Sequence, residues 1–148
     1  MKNGLAWTSI MLGLVGSVAL ASAAQAAGTP LVPIAEAVVF PFYGRGTATE
    51  AVLVPAFEIE RTPVTNAQFL AFVTREPRWQ RGTTPLLFAD EGYLAHWGGP
   101  RDLGDADPQQ PVTHVSWFAA RAYCSSLGRR LPSEHEWELV AQADETRL

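Results

Sequence analysis

Two reciprocal helix-start signals, Thr65 with Gln68 and Ser133 with Glu136, constrain the fold of this chain more than any other feature. In each pair the hydroxyl accepts the backbone amide three residues on, while the longer side chain returns to the cap amide. A third hydroxyl, Ser116, is placed to cap a helix running through Leu127, with Gly128 as its left-handed stop. Helical spacing puts Phe69, Leu70, Phe72 and Val73 on one stripe of the first helix, which Pro77 ends. The second stripe includes Trp117, Ala120 and Cys124, and the third Trp137, Val140 and Ala141. Residues 78–110 have little periodicity and much Gly, Pro and Asp, so Trp79, Tyr93 and Trp97 are the natural anchors of a long loop. Ahead of the helices, 35–42 and 51–59 are β-rich runs separated by a turn at 43–47. Pro41 and Pro55 confine them to edges or strand ends. Residues 28–34 read as a linker and 112–115 as a short strand.

The N-terminus fixes how much chain is left to fold. Lys2, the apolar run Leu5–Leu20 and the small-residue exit Ala24-Gln25-Ala26 follow the order of a cleaved secretory signal. The rival, an uncleaved anchor, is disfavoured because the run falls short of the roughly 20 residues that span a bilayer. Removing the signal leaves roughly 120 residues, one domain at most, in a periplasmic or secreted setting with no membrane contact. Lys2 is the only lysine, so the formal charge moves from −4 to about −5. That balance carries no electrostatic footprint for nucleic acid or an anionic membrane. Cys124 is the only cysteine. In an oxidising compartment it implies an intermolecular pair, a free thiol or a partner in sequence not present here.

Weighed one by one, the chemistry-bearing residues favour structural roles. His96, His114 and His135 fit no compact zinc spacing. Cys124 lies on a helix stripe beside Ala120 and Leu127, so burial and inertness are expected. Asp102, Asp105 and Asp107 lack the glycine and distant glutamate of a calcium loop and read as turn formers. Glu134, Glu136 and Glu138 project at different angles around a helix and do not converge. The sequence thus supplies no catalytic, cofactor-binding or metal-binding residue.

Three segments together carry a resemblance. They are Val64-Thr65-Asn66-Ala67-Gln68-Phe69, then Pro111-Val112 through Val115-Ser116-Trp117 to Ala122-Tyr123-Cys124, then Gly128-Arg129-Arg130-Leu131-Pro132-Ser133-Glu134-His135-Glu136-Trp137-Glu138. In this order they resemble the formylglycine-generating, sulfatase-modifying-factor family. The motif residues concerned are Thr65, Asn66, Ser116, Trp117, Cys124, Arg130, Leu131, Pro132, Glu134 and Trp137. The resemblance implies an α+β, C-type-lectin-like fold with much irregular structure, incomplete here at its C-terminal side. Residues 1–26 are then signal, 27–50 linker and first strand, and 51–148 the N-terminal part of the family domain. Catalytic members oxidise a substrate cysteine to formylglycine with copper held by a cysteine pair, and the family also binds calcium. Both sites lie beyond the EWE helix, so no cofactor is assigned to this chain, and copper and calcium belong to a longer parent. The resemblance makes Cys124 structural, paired with a distant downstream cysteine. It implies a role in maturing an exported protein or peptide, and the signal with the Trp79 to Trp97 loop is similar to a periplasmic branch of the family. The alternatives are a non-catalytic, lectin-like accessory module or a truncated product without function. Without downstream strands over the third helix, exposed apolar surface is expected around Trp117, Trp137 and Val140.

Overall fold

A computed structural model describes residues 29–40 and 51–145. The signal segment, Pro41 and the 43–47 turn lie outside the described residues. Strand β1 (Leu31–Ile34) pairs antiparallel with β4 (Phe57–Glu60), Leu31 opposite Glu60 and Ile34 opposite Phe57. Strand β2 (Ala37–Val39) pairs antiparallel with β3 (Val52–Val54), Ala37 opposite Val54 and Val39 opposite Val52. The same register runs through both pairs, so they form one ribbon broken at Ala35-Glu36 and Pro55-Ala56. Pro55 has no amide for the ladder, which accounts for the break on its side.

Leu31–Ile34 is therefore strand, where the prolines had suggested linker. A two-stranded ribbon leaves each strand an open edge, the place where a proline such as Pro33 is tolerated. Conversely, no strand forms over 112–115. Val112 donates to the Val64 carbonyl at 2.9 Å and Pro111 bridges Thr65, but His114 turns left-handed at φ 55. That backbone cannot continue a strand.

Helix α1 (Asn66–Arg75) starts at the predicted box. Gln68 N donates to Thr65 Oγ1 at 3.3 Å, and Thr65 N to Gln68 Oε1 at 2.8 Å. A single 3₁₀ turn, Pro77–Trp79, follows. Helix α2 (Trp117–Ser126) is capped by Ser116 Oγ, which accepts from Ala119 N at 3.1 Å. Gly128 takes φ +68 just beyond its end. Helix α3 (Glu134–Glu145) opens on the second box, with Ser133 N donating to Glu136 Oε2 at 2.7 Å.

The core gathers Phe69, Phe72 and Val73 of α1, Ala119 and Tyr123 of α2, and Ala89, Tyr93, Leu94 and Trp97 of the long loop. Its centre is aromatic: Phe69 stacks on Tyr123 at 5.8 Å, Phe72 meets Tyr123 edge-on at 5.5 Å, and Trp97 meets Phe69 edge-on at 6.3 Å. These are the offset and edge geometries that ring quadrupoles favour. The loop is pinned by polar contacts as well. Trp97 Nε1 donates to Asn66 Oδ1 at 3.1 Å, Asn66 Nδ2 to the Asp107 carbonyl at 2.9 Å, and Tyr93 Oη to the Trp79 carbonyl at 2.8 Å. Helix α3 packs on β2 and β3 instead, where Val39 and Val54 are buried.

Helices with a small two-stranded ribbon make an α+β arrangement. Among the described residues no helix is long and apolar enough to cross a membrane.

Candidate functional site

The segment 129–137 works as a structural clamp. Arg130 donates twice to Glu136, Nη1 to Oε2 and Nη2 to Oε1, each at 2.6 Å. Glu136 is buried although it is charged. The Arg130 hydrogen bonds, helped by the Ser133 amide, outweigh desolvation and hold its carboxyl down at about 2. A carboxylate so stabilised is no general base at neutral pH. Glu134 is an exposed first-turn residue, where the helix dipole favours a carboxylate. Leu131 and Pro132 form the extended lead into the helix.

Two motif tryptophans depart from the apolar stripes assigned to them. Trp117 is 58 % and Trp137 62 % exposed, while Ala119 and Tyr123 supply the buried face of α2. On α3 it is Glu136, not Trp137, that turns inward, and Ala141 is exposed with Val140 half-buried. The bidentate pull of Arg130 on Glu136 sets the rotation of the first turn, which carries the neighbouring Trp137 outward. The apolar exposure expected around Trp117 and Trp137 is present.

Cys124 is a half-buried free thiol. Burial pushes its pKa up, the charge of Glu60 adds to that, and Arg129 opposes it. It is therefore not a ready thiolate nucleophile. One thiol does not make the two-cysteine copper site implied by the resemblance, so this chain's donor set does not fit that ion. Among the described residues no three His, Cys, Asp or Glu side chains gather into a metal cluster. Asp102 and Asp107 cap local turns through Gly104 N at 3.0 Å and Gln109 N at 2.8 Å. His135 is half-buried, 3.7 Å from Glu138. His96 and His114 do converge, which their spacing did not show.

An open groove of about 740 Å³ is lined by Phe72, Trp79, Phe88, Phe118, Ala122 and the polar Glu76, Arg78, Arg121, Ser125 and Ser126. Its rings form a ladder of edge contacts: Trp79 to Phe88 at 6.3 Å, Phe88 to Phe118 at 5.3 Å, and Phe118 to Trp117 at 5.4 Å. A guanidinium lies over each end, Arg78 at 5.5 Å from the Trp79 ring and Arg121 at 5.4 Å from Trp117. Of the three loop aromatics, Tyr93 and Trp97 are core anchors and Trp79 reaches the groove. Sequence reasoning missed Phe88, Phe118 and Arg121. The Trp117/Arg121 pair at helical i,i+4 spacing was the available signal.

Several known proteins are similar to this chain. It is 39 % identical to a hercynine oxygenase of Mycolicibacterium thermoresistibile over 62 % of this chain and 23 % of that protein. It is 35 % identical to an inactive C-alpha-formylglycine-generating enzyme 2 of Mus musculus over 67 % of this chain and 40 % of that protein. A formylglycine-generating enzyme of Thermomonospora curvata is also 35 % identical, over 70 % of this chain and 42 % of that protein. The chain thus spans from about a quarter to two fifths of these relatives' lengths. No solved structure matches it. The family model described as the sulfatase-modifying factor enzyme 1-like domain matches residues 16–147, and the chain belongs to that family.

Proposed function

We propose that the chain is the scaffold portion of an exported sulfatase-modifying-factor domain that takes part in maturing an exported protein or peptide, on a C-type-lectin-like fold. The observation that carries this reading is the arginine-flanked aromatic groove on a family scaffold whose motif residues serve structure. An extended peptide with apolar side chains and a carboxylate suits such a groove, because rings supply contact area and guanidinium groups bind carboxylates. Oxidation of a cysteine in the bound segment belongs to residues other than Cys124. The periplasmic or secreted setting follows from the signal-like N-terminus.

The second reading, a non-catalytic accessory module, is favoured by the likeness to a relative named inactive. One experiment separates the two. The gene is expressed from its natural locus, and cysteine-containing peptides are incubated with the purified product and followed by mass spectrometry. Conversion of the cysteine to an aldehyde supports maturation by oxidation. Peptide binding that Phe118→Ala weakens, without conversion, supports the accessory role. No binding and no conversion overturns both. N-terminal sequencing of the exported product tests the signal, with Ala27 as the expected first residue.

A further inference from the structure

His96 and His114 come from different parts of the fold, yet their ring centres lie 5.2 Å apart at a tilt of 44°. Both side chains are exposed. The backbone that brings them together is unusual. Leu94 and His114 have φ of 50 and 55, the two non-glycine residues with positive φ among those described. Leu94 N donates to the His114 carbonyl at 2.8 Å, so one bond joins the two strained positions. Leu94 is fully buried and Trp97 nearly so, which holds the strained turn in place. Conformations of this kind persist only where the surroundings over-determine them, and they concentrate at functional sites.

We infer that His96 and His114 form a two-imidazole site for a borderline divalent transition-metal ion of the zinc or nickel kind, with water completing the coordination. Two imidazoles on one tetrahedral ion, each nitrogen at about 2.0–2.1 Å, place their ring centres roughly 5 Å apart. The observed 5.2 Å separation matches that spacing. Thr113 Oγ1 lies 3.1 Å from His114 Nδ1, the kind of outer contact that orients a ligating ring. The nearby Arg81, whose guanidinium donates to the Trp97 carbonyl, makes affinity modest. With two imidazole nitrogens as the protein donors, the site selects against hard calcium or magnesium, which require carboxylate or carbonyl oxygens.

The test is a Zn²⁺ titration of the full chain near pH 7.5, read on the histidine ring resonances by NMR, with inorganic phosphate as a second titrant. Zinc should shift the rings of His96 and His114 together and leave His135 unmoved. His96→Gln should weaken binding at least about tenfold, since losing one of two ligands is no milder than losing an outer-shell partner. His114→Asn should do the same while keeping a residue that tolerates the left-handed backbone. If that variant fails to fold, the exposed His96→Gln decides alone. Zinc affinity unchanged in His96→Gln, or no shift at roughly millimolar zinc, would overturn the site. Shifts with phosphate but not zinc would also overturn it and leave an anion-binding cluster.

Discussion

At the scale of single residues, two buried polar groups hold this domain together, and each makes a prediction. Glu136 has a folded-state pKa near 2, below the ordinary carboxylate value of 4.5, so ionisation stabilises the fold. That contribution is fully present above the unfolded-state pKa and is lost as pH falls through the folded one. Because Arg130 is itself largely exposed, solvent screening reduces it to about 1–2 kcal/mol at pH 7. Glu136→Gln should lower the urea midpoint accordingly at pH 7, and the gap to the parent should close between about pH 5 and pH 2. An equal gap at all pH values would show that packing, not charge, is responsible. Asn66 accepts from Trp97 and donates to the Asp107 carbonyl from a buried position. Asn66→Ala orphans both partners and should cost about 2–4 kcal/mol in chemical denaturation, with the Trp97 emission shifting to the red.

At the scale of elements, turn glycines test how each segment is joined. Gly128 has φ +68 beyond α2, and an added Cβ meets nothing within 4 Å. Gly128→Ala should therefore cost only the left-handed penalty, about 1–2 kcal/mol. Gly104 has φ +58, and its Cβ would come within 2.9 Å of the Gly98 backbone nitrogen. Gly104→Ala adds a backbone clash to the same penalty and should be the more damaging of the two by unfolding midpoint. The opposite order would mean that the 98–104 turn relaxes more easily than its close approach indicates. The Thr65 cap of α1 offers a milder case, with Thr65→Ala costing about 1 kcal/mol in thermal unfolding.

At the scale of the whole molecule, an apolar surface is left open. Leu86 and Leu87 are 75 % and 80 % exposed and adjoin Phe88 at the aromatic groove, and Trp117 and Phe118 continue the patch. Contiguous apolar surface of this kind marks a contact face or an aggregation liability. The double variant Leu86→Lys, Leu87→Lys should reduce self-association in sedimentation while changing the unfolding free energy by no more than about 0.5 kcal/mol per substitution. Loss of the cooperative melt in that variant would show instead that the two leucines are needed for folding.

What the sequence by itself determined is the set of local choices. The three helix starts and the Gly128 stop depend on interactions within a few residues, so residue order alone dictates them. The family was legible for the same reason, because its motif segments are largely caps, turns and core-helix positions. Tertiary structure decided the rest. Prolines made β1 look like linker until β4 gave it a partner, and a left-handed His114 ended the strand predicted at 112–115. Periodicity placed Trp137 inward, but the Arg130 clamp on Glu136 rotated α3 the other way. Neither the groove nor the His96–His114 pair could be read from spacing. Both are made by a non-periodic loop laid across two helices, and its path is set by long-range packing of Tyr93, Leu94 and Trp97.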